Sequence, residues 1–310
     1  MAEQRIRMVE GNAQIGGRVW RYAASDNDAG VWVLNVHGFL AGGGVYWRES
    51  TRLAHSLGVR VLNPSLPGFG GTPAFTWEET QIGNYATGLV KLLDALEIPA
   101  ALVLGHSMGG AVAMQMAADH PDRVLGVVYR DGVSTPSWKD RRGPFTMLFR
   151  PFFPDLGQGL DIISSLVVDV TGDLARTQLR SFLSTASPDL RLNARALRGT
   201  APMGAMLLAC DFTNAVRVVA DRGDIPVLPV WGRLDWGIPA RTAAEFSAIV
   251  GEPVQWVWGG HCWMLARPNA QSDILLKGDT GRHFLRRASS RAVAAGLAPI
   301  LGPVATESAA

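Results

Sequence analysis

The segment Val103-Leu104-Gly105-His106-Ser107-Met108-Gly109-Gly110-Ala111 constrains this chain more than any other. An apolar run leads into G-H-S-M-G, and a small-residue segment, Gly110 to Ala118, leads out of it. The pattern predicts a strand, a sharp turn and a helix. A serine at such a turn is lifted clear of the sheet, and Gly105 and Gly109 leave room for backbone that a Cβ would obstruct. A helix starting just after the serine aims free N–H groups and its positive dipole end at the same place. A serine hydroxyl is a weak nucleophile unless it is exposed, rigidly held and beside a base. The turn therefore has catalytic meaning only if a base and an acid follow it.

The flanking sequence alternates strand and helix patterns. Residues 1–30 read as an opening β-hairpin region, with alternation over Arg18–Tyr22 and a turn at 25–30. Apolar runs predict buried strands at Val31–Val36, Val59–Leu62, Ala100–Leu104, Val124–Tyr129, Pro226–Trp231 and Val254–Trp258. Helical spacing marks Ser50–Leu57 and Ile82–Leu96, and a terminal helix is expected within 270–290. Strands and helices at these intervals predict a mostly parallel sheet covered by helices on both faces.

Between about Thr135 and Val219 the alternation stops. Helical patterns occupy Ile162–Val170, Asp173–Leu183, Leu190–Leu197 and Met203–Cys210, and prolines 136, 144, 151 and 154 punctuate the start. This stretch reads as a helical cap inserted after a core strand. The expected organisation is a first core part over 1–134, the cap over 135–219, a second core part over 220–290 and a loose tail over 291–310.

Composition removes several alternatives. The 310 residues are 47% hydrophobic and 18% charged, ample for a core of this size. A net charge of +2 without like-charge blocks gives no basis for nucleic-acid binding. The N-terminus lacks an apolar signal region, and no apolar run reaches the roughly 18 residues of a membrane span. Two distant cysteines, Cys210 and Cys262, form neither a disulfide framework nor a metal site, which suits a reducing cytoplasm.

Three features follow the strands where acyl-transfer chemistry needs them. His37-Gly38-Phe39-Leu40 comes directly after Val31–Val36. An oxyanion hole requires two preorganised N–H donors; Met108, next to the serine, and Phe39 in this loop are the expected pair. Asp235, in the turn after Pro226–Trp231, can orient an imidazole; Asp131, after Val124–Tyr129, is the rival acid. His261, in Gly259-Gly260-His261 after the last strand, is the expected base. His37 and His106 are read as structural, His106 because its side chain should point away from that of Ser107.

The motifs H-G-F, L-P-G-F-G-G-T, G-H-S-M-G-G, W-G-R-L-D and G-G-H occur in this order. Together, over about residues 20–270, the chain resembles the α/β-hydrolase superfamily, specifically its soluble esterase-like and C–C-hydrolase-like branch. The resemblance implies a Ser107–Asp235–His261 triad working without metal or organic cofactor. Serine at position 65, where many relatives carry aspartate, departs from the pattern at a loop-organising position. Serine rather than aspartate at the elbow argues against dehalogenase and epoxide-hydrolase chemistry. The expected activity is hydrolysis of small to medium apolar esters. C–C bond hydrolysis, cofactor-free perhydrolysis, and a non-catalytic small-molecule binding role remain alternatives. An apolar opening of the cap, 145–154, together with Trp77, Trp138, Trp236 and Trp263, offers candidate pocket walls.

Overall fold

The computed structural model describes residues 6–140, 144–149 and 197–300, and scattered positions between 157 and 193. Eight strands form one sheet: β1 (Met8–Ile15), β2 (Arg18–Ser25), β3 (Trp32–Val36), β4 (Arg60–Pro64), β5 (Ala101–His106), β6 (Val124–Arg130), β7 (Val227–Gly232) and β8 (Gln255–Val257). Their spatial order is β1-β2-β4-β3-β5-β6-β7-β8. The opening hairpin is antiparallel and pairs antiparallel with β4. Every pairing from β4 across to β8 is parallel.

Strands β5, β6 and β7 are buried at every residue, as expected where helices cover both faces. The pleat alternates their side chains between two apolar layers. Ala101 and Val103 face α2 (Ile82–Ala95) and α3 (Met108–Asp119), whose Leu89, Leu92 and Ala113 share that layer. Leu102 and Leu104 face α1 (Trp47–Leu57) and the helix Asp279–Ala294, through Leu53, Leu285 and Ala288. Helix α1 begins three residues earlier than its apolar spacing predicts, and ends at Gly58 in the left-handed conformation that glycine adopts without penalty.

After β6 the chain leaves the sheet and returns at β7. The described residues between them include the helices Pro144–Phe149, Leu197–Ala209 and Thr213–Arg222. The cap boundary expected at 219 falls inside the last of these, whose Ala215, Val216 and Val219 belong to the α2–α3 core layer. Much of the patterns at Ile162–Val170, Asp173–Leu183 and Leu190–Leu197 lies outside the described residues, as do 150–154 and 301–310. Within the expected tail, Ile300 is buried in the α1 layer. Among the described residues no single helix is long and apolar enough to cross a membrane.

Candidate active site

Ser107, Asp131, Asp235, His261 and the His37–Phe39 loop all follow the C-terminal ends of β5, β6, β7, β8 and β3. Parallel strands bring these ends to one edge of the sheet, the edge where open α/β folds bind ligands.

Ser107 sits between β5 and α3 at φ 54°, ψ −117°. A non-glycine residue in such a region costs about 1–3 kcal/mol and persists only where its surroundings over-determine it. The Ser107 N–H donates to the Arg130 carbonyl at 2.9 Å, and the Gly110 N–H donates to the Ser107 carbonyl at 2.9 Å. Close packing completes the constraint: a Cβ on Gly109 would stand 2.3 Å from the Val36 carbonyl oxygen. The β3 loop approaches equally closely, since a Cβ on Gly38 would lie 3.2 Å from the Ser107 Cβ.

Asp235 and His261 are in direct contact, with Asp235 Oδ2 at 2.8 Å from His261 Nδ1, and both side chains are buried. The other carboxylate oxygen, Oδ1, accepts the Ile238 N–H at 2.7 Å. The two loops are also tied through backbone, from Leu234 N–H to Gly259 carbonyl at 2.9 Å. Asp131 does not take this position. Its Oδ1 accepts the Gly232 N–H and its Oδ2 the Trp263 indole N–H, each at 2.7 Å. Burial raises the Asp131 carboxyl well above the ordinary range, and the neighbouring Asp235 charge raises it further. Burial likewise raises the Asp235 carboxyl well above the ordinary range.

Asp131, Asp235 and His261 each place one possible ligand atom within 4.8 Å of the others, the one such group among the described residues. All four carboxylate oxygens already accept protein N–H groups or face His261 Nδ1. The donor set is thus committed to protein partners.

His37 and His106 are structural, as the sequence predicts. The Leu66 N–H donates to His37 Nε2 at 3.0 Å, so the ring proton is on Nδ1 and bonds the Gly38 carbonyl at 2.8 Å. Burial pushes this imidazole down to about 4. His106 Nε2 donates to the His261 carbonyl at 2.8 Å, and Nδ1 accepts the Tyr46 hydroxyl at 2.7 Å. Tyr46 in turn accepts the Gly38 N–H at 3.2 Å. One relay thereby joins the β3 loop, the residue beside Ser107 and the backbone of His261. Burial holds His106 well below the ordinary histidine range.

Among the described residues, no partner takes the backbone N–H of Phe39 or of Met108. The Phe39 ring packs edge-on against Phe69, with centroids 5.6 Å apart, and lies against Gly204 of the helix Leu197–Ala209. Ser65 organises its loop, with Oγ accepting the Gly43 N–H at 3.2 Å. Two of the four candidate pocket tryptophans are core instead: Trp138 is buried, and Trp263 is buried with its indole committed to Asp131. Trp77 and Trp236 are exposed.

Sequence reading missed four polar residues of the β6–β7 insertion. Asp169 Oδ2 accepts the N–H groups of Trp236 and Gly237 at 2.7 and 2.6 Å. Asp173 accepts those of Gly260 at 2.9 Å and Cys262 at 3.0 Å. Asp189 accepts the Gly44 N–H at 2.7 Å. Asn193 donates to the Leu40 and Ala41 carbonyls at 2.7 and 3.0 Å, and accepts the Gly70 N–H at 2.7 Å. An acid inside the apolar run Leu166-Val167-Val168-Asp169-Val170 is a weak sign of a buried, paired carboxylate. Nothing local marks the other three, whose partners lie far away in the chain.

A family model described as the alpha/beta hydrolase fold matches residues 31–265. The chain belongs to this family. It is 32% identical over 270 residues to the magnesium-chelatase 30 kDa subunit of Rhodobacter capsulatus, covering 82% of this chain and 89% of that protein. It is 27% identical over 263 residues to a 2-hydroxy-6-oxononadienedioate/2-hydroxy-6-oxononatrienedioate hydrolase of a Pseudomonas species, covering 81% and 90%. Among solved structures, the bromoperoxidase of Bacillus anthracis superposes with a TM-score of 0.66 at 19% identity, covering 87% of this chain and 99% of that one. At that identity the likeness shows the shared fold. These relatives place this α/β hydrolase in a hydrolase family whose members carry different chemistries.

Proposed function

We propose that this protein is a serine hydrolase that cleaves carboxylic esters of small to medium apolar substrates through an acyl-enzyme. The observation that carries the reading is the buried 2.8 Å contact between Asp235 and His261 at the strand edge that also holds the strained Ser107. His261 takes the proton of Ser107 as the hydroxyl attacks the ester carbonyl. Asp235 fixes the imidazole tautomer through Nδ1 and balances the imidazolium charge. The N–H groups of Phe39 and Met108 receive the developing oxyanion. His261 then gives its proton to the leaving alcohol, and water releases the acid by the same steps in reverse. The Phe39 and Phe69 rings beside the oxyanion loop support an apolar substrate group. The β6–β7 insertion serves as the cap over this site.

The test is turnover of p-nitrophenyl esters of graded acyl length by wild type and Ser107→Ala. A loss of several orders of magnitude in the variant supports the reading, and the chain-length optimum sizes the pocket. Equal, near-background rates would overturn it. Similarity to the 2-hydroxy-6-oxononadienedioate hydrolase favours C–C bond hydrolysis as the second reading. Ser107-dependent cleavage of a vinylogous 1,5-diketone, without ester turnover, would select it.

A further inference from the structure

The four insertion residues form a pattern. Asp169 and Asp173 are both helical and four positions apart; so are Asp189 and Asn193. Each pair meets a different part of the candidate site, through the hydrogen bonds to backbone groups given above.

The first pair holds the acid and the base. Trp236 and Gly237 directly follow Asp235, and both donate to one oxygen of Asp169. Gly260 and Cys262 flank His261, and they donate to separate oxygens of Asp173. The second pair holds the oxyanion loop. Leu40, next to Phe39, has φ 60° without being glycine, and its carbonyl is bound by Asn193. Asp189 fixes the same loop further on, at Gly44. All four side chains are buried.

The geometry points to the β6–β7 insertion as a brace for the catalytic loops: Asp169, Asp173, Asp189 and Asn193 are positioning residues that set the Asp235–His261 contact and the Phe39 N–H. This rests on the triad reading above. It makes the insertion part of the catalytic machinery as well as a cover. Displacing reacting groups by about 1 Å costs on the order of 100-fold in rate, so the brace is read in kcat rather than in KM.

The experiment compares Asp169→Ala, Asp169→Asn, Asp173→Ala, Asp173→Asn and Asn193→Ala with wild type, as full chains with folding checked by circular dichroism. Active sites are counted with a fluorophosphonate. The expected result for Asp169→Ala, Asp173→Ala and Asn193→Ala is kcat down by roughly 10- to 100-fold, with KM within about threefold. The two conservative variants should differ. Both donors of Asp169 share one oxygen, so an amide oxygen can replace it, and Asp169→Asn should recover most of kcat. Asp173 uses both oxygens, so Asp173→Asn points an amide N–H at another N–H and should not recover.

The far-downfield proton NMR signal of the Asp235–His261 contact supplies a readout that needs no substrate. It should weaken or shift in Asp169→Ala and Asp173→Ala and stay in place in Asn193→Ala. Unchanged kcat in the alanine variants, equal loss in Asp169→Asn and Asp169→Ala, or an NMR signal indifferent to Asp169 and Asp173 would overturn the brace. Should Asp169→Ala fail to fold, Asp169→Glu keeps the charge but displaces the acceptor by a methylene, and the same loss of kcat is expected. Absence of ester turnover by wild type would overturn the ester reading alone; the NMR comparison would still decide the brace.

Discussion

Two buried aspartates stand beside His261, and asparagine substitution separates their roles. In Asp235→Asn, the Ile238 N–H, which bonds Oδ1 at 2.7 Å, holds the amide oxygen on its side. The amide nitrogen then faces His261 Nδ1 in place of the oxygen now 2.8 Å away. Nδ1 must accept, so the ring proton moves to Nε2, and the imidazole can no longer take a proton from Ser107. A wrong tautomer with intact geometry costs on the order of 10⁴-fold in kcat, about 5 kcal/mol of transition-state stabilisation. In Asp131→Asn, the oxygens lost or kept serve Gly232 and Trp263, with no bond to His261. One of those buried N–H donors loses its acceptor, at a cost of about 1–3 kcal/mol in stability. Its kcat should fall less than tenfold. The assay is p-nitrophenyl butyrate hydrolysis per titrated active site, paired with urea denaturation. Comparable kcat losses in the two variants, or more than a tenth of wild-type kcat in Asp235→Asn, would refute the assignment of Asp235 as the triad acid.

Other perturbations follow from the same contacts. His37 is buried neutral, with its imidazole down at about 4 against the usual 6.5. The unfolded chain therefore binds the proton first, and stability falls as pH drops from about 6.5 to 4, by about 3 kcal/mol in total from this group. Thermal melts across that range should show a flatter pH dependence in His37→Gln. Tyr46→Phe strips the acceptor from the Gly38 N–H and the donor from His106. Urea denaturation should show a loss of about 1–3 kcal/mol, with a fall in kcat because Gly38 precedes the Phe39 donor. Arg130 and Glu49 form a fully buried ion pair at 2.7 Å, with Asn35 accepting from the second guanidinium nitrogen at 2.6 Å. Glu49→Gln leaves that cation unbalanced and should cost about 3–5 kcal/mol, measured by the same denaturation. Double replacement of Arg130 and Glu49 by apolar residues should cost less than the single one.

Much of the architecture is legible in local pattern. Wholly apolar runs such as Ala100–Leu104 and Pro226–Trp231 mark strands buried on both faces, because a sheet covered twice has no polar side to show. The turn at Ser107 is written in two glycines, since backbone passing 2.3 Å from a Cβ position admits no other residue. His37 and His106 are placed correctly as structural. Trp138 and Trp263 mislead, because an aromatic residue near a site looks the same in sequence whether it lines a cavity or fills the core.

Sequence by itself determined the parallel sheet, the elbow and the chain order Ser107, Asp235, His261, because each depends on residues a few positions apart and on strand ends that a parallel sheet must gather at one edge. Tertiary structure alone decided which aspartate meets the imidazole. Asp131 and Asp235 both follow core strands, and only the packing of β6 against β7 turns one toward Gly232 and Trp263 and the other toward His261. It also decided the bracing by Asp169, Asp173, Asp189 and Asn193. Those bonds join side chains to backbone groups 67 to 153 residues away, and a backbone N–H or carbonyl is the same at every position, so no residue type in the sequence marks where such a partner will be.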